Sequence, residues 1–390
     1  MVRLSTAESQ IEKELFNKSK YGNYYFSKPK NVQTRCNKSL ANFTANMLVD
    51  ETHKLLYCFV PKVGCTTWKK IFAILTNEKL RNETKGNPEN IKLDPHSIRF
   101  KSMKDYNSSQ REIILKSYFK FMFVREPFER LVSAYIDKFY VPELNGFWES
   151  WGRRIIKRYR EKASAVSKAC GHDVTFEEFL SHSLSKVQQA DISGGNEHWT
   201  TMHQICNPCG IKYDYIGHVE TMRRDTDVIL HQANVSHLIV QDEASVSNIR
   251  QNLHISDEAL IKSEKCLEPR DAVKRIINSL IYKGFLPNNF SIAEFTRNSM
   301  GNNSNMTNEE VAKLFNAKLD DILPRIWENK LKSSKSIKEL NREHSLIRLQ
   351  KSNISGQISS QIIKRFLKYF SLDFEAFGYD TKFYSNYMTK

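Results

Sequence analysis

Apolar residues in this chain come in short dense runs, and the spacing within the runs changes along the sequence. Leu55-Leu-Tyr-Cys-Phe-Val60 is a continuous apolar run stopped by Pro61. It is too short for a helix, and it reads as a strand buried on both faces. Beyond it, Trp68, Ile71, Phe72 and Leu75 fall at helical spacing, with Thr66 placed to cap a helix over Thr66 to Leu75. Tyr118-Phe-Lys-Phe-Met-Phe-Val124 reads as a second strand. Pro127 suits the first turn of the helix after it. Phe128, Leu131, Val132, Tyr135 and Phe139 give that helix one apolar face. A third candidate strand is Tyr213-Asp-Tyr-Ile-Gly-His-Val219.

Strand–loop–helix thus occurs twice, which predicts an α/β fold: a P-loop-like parallel sheet flanked by crossover helices. Ligands of such sheets bind beyond the carboxyl ends of the strands, where both loops would lie. Around this core the character shifts. Residues 1–50 are polar and read as a stem-like leader, and 51–248 form the core. Residues 249–345 turn to polar helical segments, a largely helical insertion of unknown role near the C-terminus. Within it, 298–308 is Asn-rich and reads as a loop. Thr307-Asn-Glu-Glu310 is a capping-box pattern ahead of Val311, Leu314, Phe315 and Ile322. Residues 346–390 return to the core with a helical stretch, Ile362 to Phe370, and an aromatic tail, Leu372-Asp-Phe-Glu-Ala-Phe-Gly-Tyr379.

Composition adds a direction. With 59 Lys and Arg against 44 Asp and Glu, the formal net charge is +15. That favours an anionic partner: nucleic acid, acidic lipid, acidic polysaccharide or a phosphate-rich small molecule. No run approaches the ~18 apolar residues of a membrane span, and Met1 to Lys20 carries no signal-peptide core. Read literally, the chain is cytosolic. Asn-x-Ser/Thr sequons at Asn17, Asn37, Asn42, Asn82, Asn107, Asn234, Asn289, Asn302, Asn305 and Asn353 argue instead for a secretory route. Of the seven cysteines, Cys58 in its apolar run and Cys65 in a tight loop read as free thiols. Cys36, Cys170, Cys206, Cys209 and Cys266 lie in loop-like contexts and would pair in an oxidising lumen. Cys206-Asn-Pro-Cys209 also has the spacing of half a zinc site, but no second pair follows, so no metal is expected.

Two loops carry candidate chemistry. In Pro61-Lys-Val-Gly-Cys-Thr-Thr-Trp-Lys69, a turn at Gly64 opens onto a helix. Backbone amides and the helix dipole would converge there, joined by the Lys62 charge and the Thr66 and Thr67 hydroxyls, as in a phosphate cradle. The loop lacks the second glycine and the Gly-Lys-Ser/Thr ending of a Walker A motif. The plainer alternative is a strand–helix turn with an exposed lysine. In Phe123-Val-Arg-Glu-Pro-Phe-Glu-Arg-Leu-Val-Ser-Ala-Tyr135, Arg125 stands just past a strand, placed to fork a phosphate, with Ser133 two turns on. The alternative is an ion pair from Arg125 to Glu126 or Glu129. Two such loops suit a nucleoside phosphorylated at both ends.

The two loops resemble the 5′-phosphosulfate loop and the 3′-phosphate motif of Golgi carbohydrate sulfotransferases, in particular the group of the chondroitin/dermatan 4-O-sulfotransferases and the HNK-1 sulfotransferase. Further matches are Ile155-Ile-Lys-Arg158, Thr175-Phe-Glu-Glu-Phe179, Glu197-His-Trp199, Cys206-Asn-Pro-Cys209, Tyr213-Asp-Tyr-Ile-Gly217 with Glu220-Thr221, and the aromatic tail. The resemblance runs from about residue 45 to 245 and from about 345 to 380. It implies 3′-phosphoadenosine-5′-phosphosulfate (PAPS) as donor and in-line sulfuryl transfer to a glycan hydroxyl without a metal. The acceptor implied is a glycosaminoglycan of chondroitin/dermatan type at the GalNAc 4-O position, and not nucleic acid. Lys62, Val63, Gly64, Cys65, Thr66, Thr67 and Trp68 would hold the 5′-phosphosulfate, with Lys62 stabilising the leaving charge; Arg125 and Ser133 would hold the 3′-phosphate.

A base must take the hydroxyl proton, and histidine suits neutral pH. His96, between the loops, is where related enzymes also place one. His198 is the second candidate; otherwise it contacts sugar or packs. Arg153, Lys157 and Arg158, on a basic helix where Arg153/Lys157 and Arg154/Arg158 are i, i+4 pairs, would track a polyanionic glycan or form a plain solvated face. Trp148, Trp151 and Trp199 would stack on sugars or pack in the core. The family's members are type II Golgi membrane proteins with a signal anchor. This sequence shows none, which reads as a truncated or mispredicted form. Two rival readings remain: a P-loop-type kinase, and a non-enzymatic polyanion-binding protein.

Overall fold

Both strand–loop–helix units form where the pattern places them. The computed structural model describes residues 46–143, 145–185, 195–240, 257–287, 289–291, parts of 307–322, and 358–385. Strands β1 (Met47–Asp50), β2 (Leu55–Cys58), β3 (Phe119–Val124) and β4 (Tyr215–His218) form one sheet in that order. β2, β3 and β4 are mutually parallel, in register Leu55↔Phe119 and Phe121↔Tyr215. Their carboxyl ends therefore share one edge of the molecule. The continuous apolar runs are explained by burial: every residue of β2 and nearly all of β3 is enclosed between helical layers.

The parallel sheet forms as expected and gains one edge strand, β1, which pairs antiparallel with β2. These four residues belong to the core sheet and not to the leader expected over 1–50. Met47, Leu48 and Val49 are buried, and Asp50 closes the hairpin by accepting from the amides of Thr52 and His53 at 3.0 and 3.1 Å. The rest of the expected leader, 1–45, lies outside the described residues.

Helix α1 (Cys65–Thr76) follows β2, and α2 (Pro127–Tyr135) follows β3. α1 starts one residue before Thr66, with Gly64 at its cap, so Thr66 is not the capping side chain. Glu126 caps α2 by accepting from the Glu129 amide at 2.7 Å. A wider turn of helix, Ile136–Tyr140, continues α2. Further helices are α3 (Arg153–Tyr159), α4 (Phe176–Ser183), α5 (Met222–Gln232), α6 (Pro269–Tyr282) and α7 (Ser360–Tyr369).

Three apolar clusters divide the interior. The sheet packs with α1. The apolar face of α2 packs with α4, α7 and the aromatic tail. α6 packs with Trp148 and the Val311–Phe315 region. The Thr307–Glu310 capping box forms as expected, Glu310 donating its amide to Thr307 at 3.3 Å and accepting from the Thr307 amide at 2.9 Å. The Asn-rich stretch before it and residues 323–357 lie outside the described residues.

Disulfides join Cys58 to Cys206 and Cys170 to Cys266, and Cys209 is disulfide-bonded as well. This corrects the reading of Cys58 as a free thiol and removes the zinc reading of Cys206 and Cys209. A buried cystine is as apolar as its surroundings, so an apolar run does not separate the two states of Cys58. Cys65 is a buried free thiol, as expected. Cys36 lies outside the described residues. The sequon asparagines Asn82, Asn107, Asn234 and Asn289 are all exposed. The Cys170–Cys266 bridge closes a separation of 96 residues and ties the segment leading into α6 to the core. Replacing both cysteines with alanine should lower stability by roughly 2–5 kcal/mol, read by calorimetry.

Candidate active site

The first loop leaves β2 and reverses through two residues in left-handed backbone, Lys62 at φ 71° and Gly64 at φ 84°. Few side chains tolerate that region, and a non-glycine residue held there at a loop tip marks stored strain. The backbone conformation is what calls for glycine at 64; a Cβ there would also displace the flexible end of Met222 on α5. The turn aims the first-turn amides of α1 outward without a side-chain cap. The amides of Cys65, Thr66 and Thr67 thus lack carbonyl partners within the helix and face an edge of positive helix potential. Thr66 and Thr67 are half-buried beside them.

Not every residue named for this loop meets the solvent. Val63 and Trp68 are fully buried. Trp68 packs on Tyr57, Phe121 and Phe123, and its amide is bonded to the Gly64 carbonyl at 3.2 Å. Its side chain and its amide are therefore both committed to the fold, which corrects its assignment as a ligand contact. Val63 likewise offers no side chain.

The second loop meets the first. Arg125 donates to the Lys62 carbonyl at 3.5 Å and pairs with Glu129 at 3.2 Å. Arg125 thus forms the ion pair of the plainer alternative and also stands against the first loop. Lys62 reaches across to Asp137 at 3.0 Å, and Lys138 joins the same carboxylate oxygen at 3.2 Å. Glu129, Ser133 and Asp137 follow at four-residue steps, and all three are half-buried. The edge of β4 adds Glu220, which accepts from the Glu126 amide at 3.1 Å and from Tyr379 of the tail at 3.1 Å.

Beneath both loops lies Arg130, fully buried. Its guanidinium donates to the carbonyls of Pro61 (2.9 Å), Thr200 (2.6 Å) and Glu197 (2.6 Å). Burial pulls its pKa down to about 10. Sequence reasoning passed over it as one more basic residue of the second motif. Its signal is its place, five residues past Arg125 on the apolar face of α2, where a charge needs a structural reason.

Both candidate histidines feel the charge of Lys138, and His198 that of Lys62 as well. His96 lies against α1, with Nε2 3.4 Å from Thr66 Oγ1 and Nδ1 3.2 Å from Lys69 Nζ. An ammonium only donates, so Nδ1 carries the lone pair and Nε2 the proton. Desolvation, then the Lys69 charge, lowers the His96 pKa, with Asp94 opposing. His96 is nonetheless exposed enough to be reached. His198 is more enclosed. Its Nδ1 lies 2.7 Å from Asn196 Oδ1, which leaves Nε2 as acceptor, and its ring meets Phe147 edge-on. Desolvation, with Lys138 and Lys62 nearby, holds its pKa down to about 3.

Lys69, Asp137 and Lys138 were not singled out from the sequence. Lys69 is three residues past Thr66, and Asp137 is four past Ser133; helical spacing puts each pair on one face.

The basic helix is α3. Arg153, Arg154, Lys157 and Arg158 are exposed while Ile155 and Ile156 are buried. Trp199 is fully buried among Phe139, Trp151 and Phe179, and Trp148 is buried against α6. Of the two alternatives, core packing is the one these two adopt. Trp151 remains half-buried, with the Arg154 guanidinium 5.4 Å from its ring centre. Among the described residues no cluster of three or more His, Cys, Asp or Glu side chains has metal-binding geometry, and no helix is long and apolar enough to cross a membrane.

Residues 45–284 match the family model described as the Sulfotransferase family. The chain belongs to the sulfotransferase family. Among relatives, carbohydrate sulfotransferase 11 of Rattus norvegicus is 40% identical over 196 residues, which is 50% of this chain and 54% of that protein. Carbohydrate sulfotransferase 14 of Danio rerio is 37% identical over 187 residues, 48% of each chain. Carbohydrate sulfotransferase 10 of Rattus norvegicus is 34% identical over 201 residues, 50% of this chain and 54% of that protein. The chain spans about half the length of the curated relatives it matches. No solved structure matches it. The sulfotransferase match runs two residues past the end of α6.

Proposed function

We propose that this chain moves a sulfuryl group from PAPS to a hydroxyl of a glycan in the Golgi lumen, with the GalNAc 4-O position of chondroitin or dermatan chains as acceptor. The observation that carries the reading is the contact of Arg125 with the Lys62 carbonyl. It draws both phosphate-binding loops into one site at the carboxyl edge of the sheet. Family membership and the carbohydrate sulfotransferase names of the relatives support it over the kinase reading and the non-enzymatic polyanion reading. The disulfides and the exposed sequons fit an oxidising secretory compartment.

The first-turn amides of α1, Lys62, Thr66 and Thr67 hold the 5′-phosphosulfate. Arg125 and Ser133 hold the 3′-phosphate. The sugar oxygen forms a new bond to sulfur as the bond from sulfur to the phosphate oxygen breaks. Lys62 and the amides neutralise the charge left on that oxygen. The sugar proton passes to His96 Nδ1, where the hydroxyl takes the place of Lys69. His198, with its very low proton affinity, acts as a hydrogen-bond acceptor that orients the acceptor. The exposed face of Arg153, Lys157 and Arg158 follows the anionic chain. No step calls for a metal.

Labelled sulfate transfer from PAPS to desulfated chondroitin, desulfated dermatan and neutral glycans tests the reading. Disaccharide analysis should place the label on the 4-O position of GalNAc. Label on another hydroxyl would replace the acceptor assignment, and no transfer to any glycan by a nucleotide-binding protein would overturn the activity.

The pH profile separates the histidines. A lowered pKa keeps His96 neutral, and so able to accept a proton, further into the acid range. The acid limb of kcat/KM should therefore fall below the ordinary histidine value of about 6.5. His96→Asn should remove that limb and slow turnover by about 10²–10⁴-fold, whereas His198→Asn should mainly raise the acceptor KM. An unchanged limb in the His96 variant would sink the assignment of the base.

A further inference from the structure

The proposed chemistry uses nothing from residues 249–345, yet α6 ends at the site. Its face is pinned to α2 and the turn beyond it. Arg275 donates to the carbonyls of Tyr140 (3.2 Å) and His172 (2.7 Å). Asn278 donates to the Tyr140 hydroxyl at 2.9 Å. Tyr282, its last residue, sets its hydroxyl 3.5 Å from Glu129 Oε2, the oxygen that pairs with Arg125. Lys283 comes next.

The Lys283 side chain is open to solvent by area. Enough protein surrounds it, however, that desolvation brings its pKa down to about 8, with Asp137 opposing and Lys62 and Arg125 adding to the fall. Among the described residues its ammonium has no ion pair or hydrogen bond. The charged groups acting on it are Asp137 and the two cations that define the loops, Lys62 and Arg125. Each of those two cations already has a carboxylate, Asp137 and Glu129. The carboxylate acting on Lys283, Asp137, is already paired with Lys62 and Lys138.

We propose that Lys283 is a third cation of the donor-nucleotide cleft, delivered by α6 and binding a phosphate of the donor beside Lys62 and Arg125. This rests on the PAPS reading and deepens it. The nucleotide is the occupant because the cations facing Lys283 are those of the two phosphate loops, not those of α3. A ligand with several negative charges needs more positive charge than two internally paired cations offer.

The test is the affinity of the full chain for adenosine 3′,5′-bisphosphate, by titration calorimetry, for wild type, Lys283→Met, Lys283→Arg and Lys274→Met. Lys274 is an exposed lysine on the same helix. Lys283→Met should weaken binding by about tenfold, corresponding to ~1.4 kcal/mol. Lys283→Arg should keep most of the affinity and Lys274→Met all of it. Thermal unfolding of each variant checks that the fold is kept, as an accessible side chain leads one to expect. Wild type that fails to bind the bisphosphate would bring down the PAPS reading itself. Wild type that binds, with Lys283→Met within twofold of it, would overturn this assignment alone. A Lys283→Met enzyme with normal nucleotide affinity and a raised glycan KM would move Lys283 to the acceptor side and also overturn it.

Discussion

Lys62→Ala is expected to lower kcat/KM for sulfate transfer by about 10²–10³-fold, the usual loss when one donor to a developing oxyanion is removed. The physical reason is timing. In the ground state the sulfate and phosphate charges are spread over several oxygens. In the transition state, charge gathers on the bridging oxygen, and a lysine at the loop tip answers it there. Affinity for the 3′,5′-bisphosphate should fall less than the rate, because the stronger interaction is made only on the way to products. Lys62 is half-buried and its ammonium sits on Asp137 at 3.0 Å. Its removal leaves that carboxylate with Lys138, so the fold should survive. Initial rates at several PAPS concentrations give both quantities. A rate within tenfold of wild type would mean that another group carries the leaving charge.

Arg130→Met is expected to cost about 3–5 kcal/mol of stability, the range for stripping the partner from buried polar groups. Three carbonyls, of Pro61, Glu197 and Thr200, would lose their donor at once. Methionine fills some of the volume and satisfies none of them. Arg130→Lys should recover little, since a single ammonium cannot reproduce a planar fork aimed at three oxygens. The same change should loosen the entry to the first loop and the segment bearing His198, so activity should fall in whatever fraction remains folded. Chemical denaturation followed by fluorescence measures the first effect. A loss under about 1 kcal/mol would show that the carbonyls find other donors.

These two residues differ in how well the sequence announces them. Lys62 stands in a loop whose chemistry can be read directly: a strand that ends, a glycine, two threonines and a helix. Arg130 sits in an equally conspicuous motif, but the same letters would suit a surface salt bridge. Only its burial shows that it is a strut. Trp68 misleads in the opposite way. It stands within the loop, yet helical spacing turns its ring toward Phe121 and Phe123. Cys58 illustrates a third case. Its partner is 148 residues away, and no local pattern encodes such a distance.

Local order determined the three parallel strands, α1, α2 and the candidate chemistry of both loops. Those features depend on residues a few positions apart, where periodicity, turn geometry and helix amides act directly. Tertiary structure alone decided that Arg125 meets Lys62, that Asp137 pairs with it, that β1 joins the sheet edge, and that the end of α6 brings Tyr282 to Glu129. Each of these is a contact across long separations. It is set by how buried faces stack, and many different partners would satisfy the same local pattern.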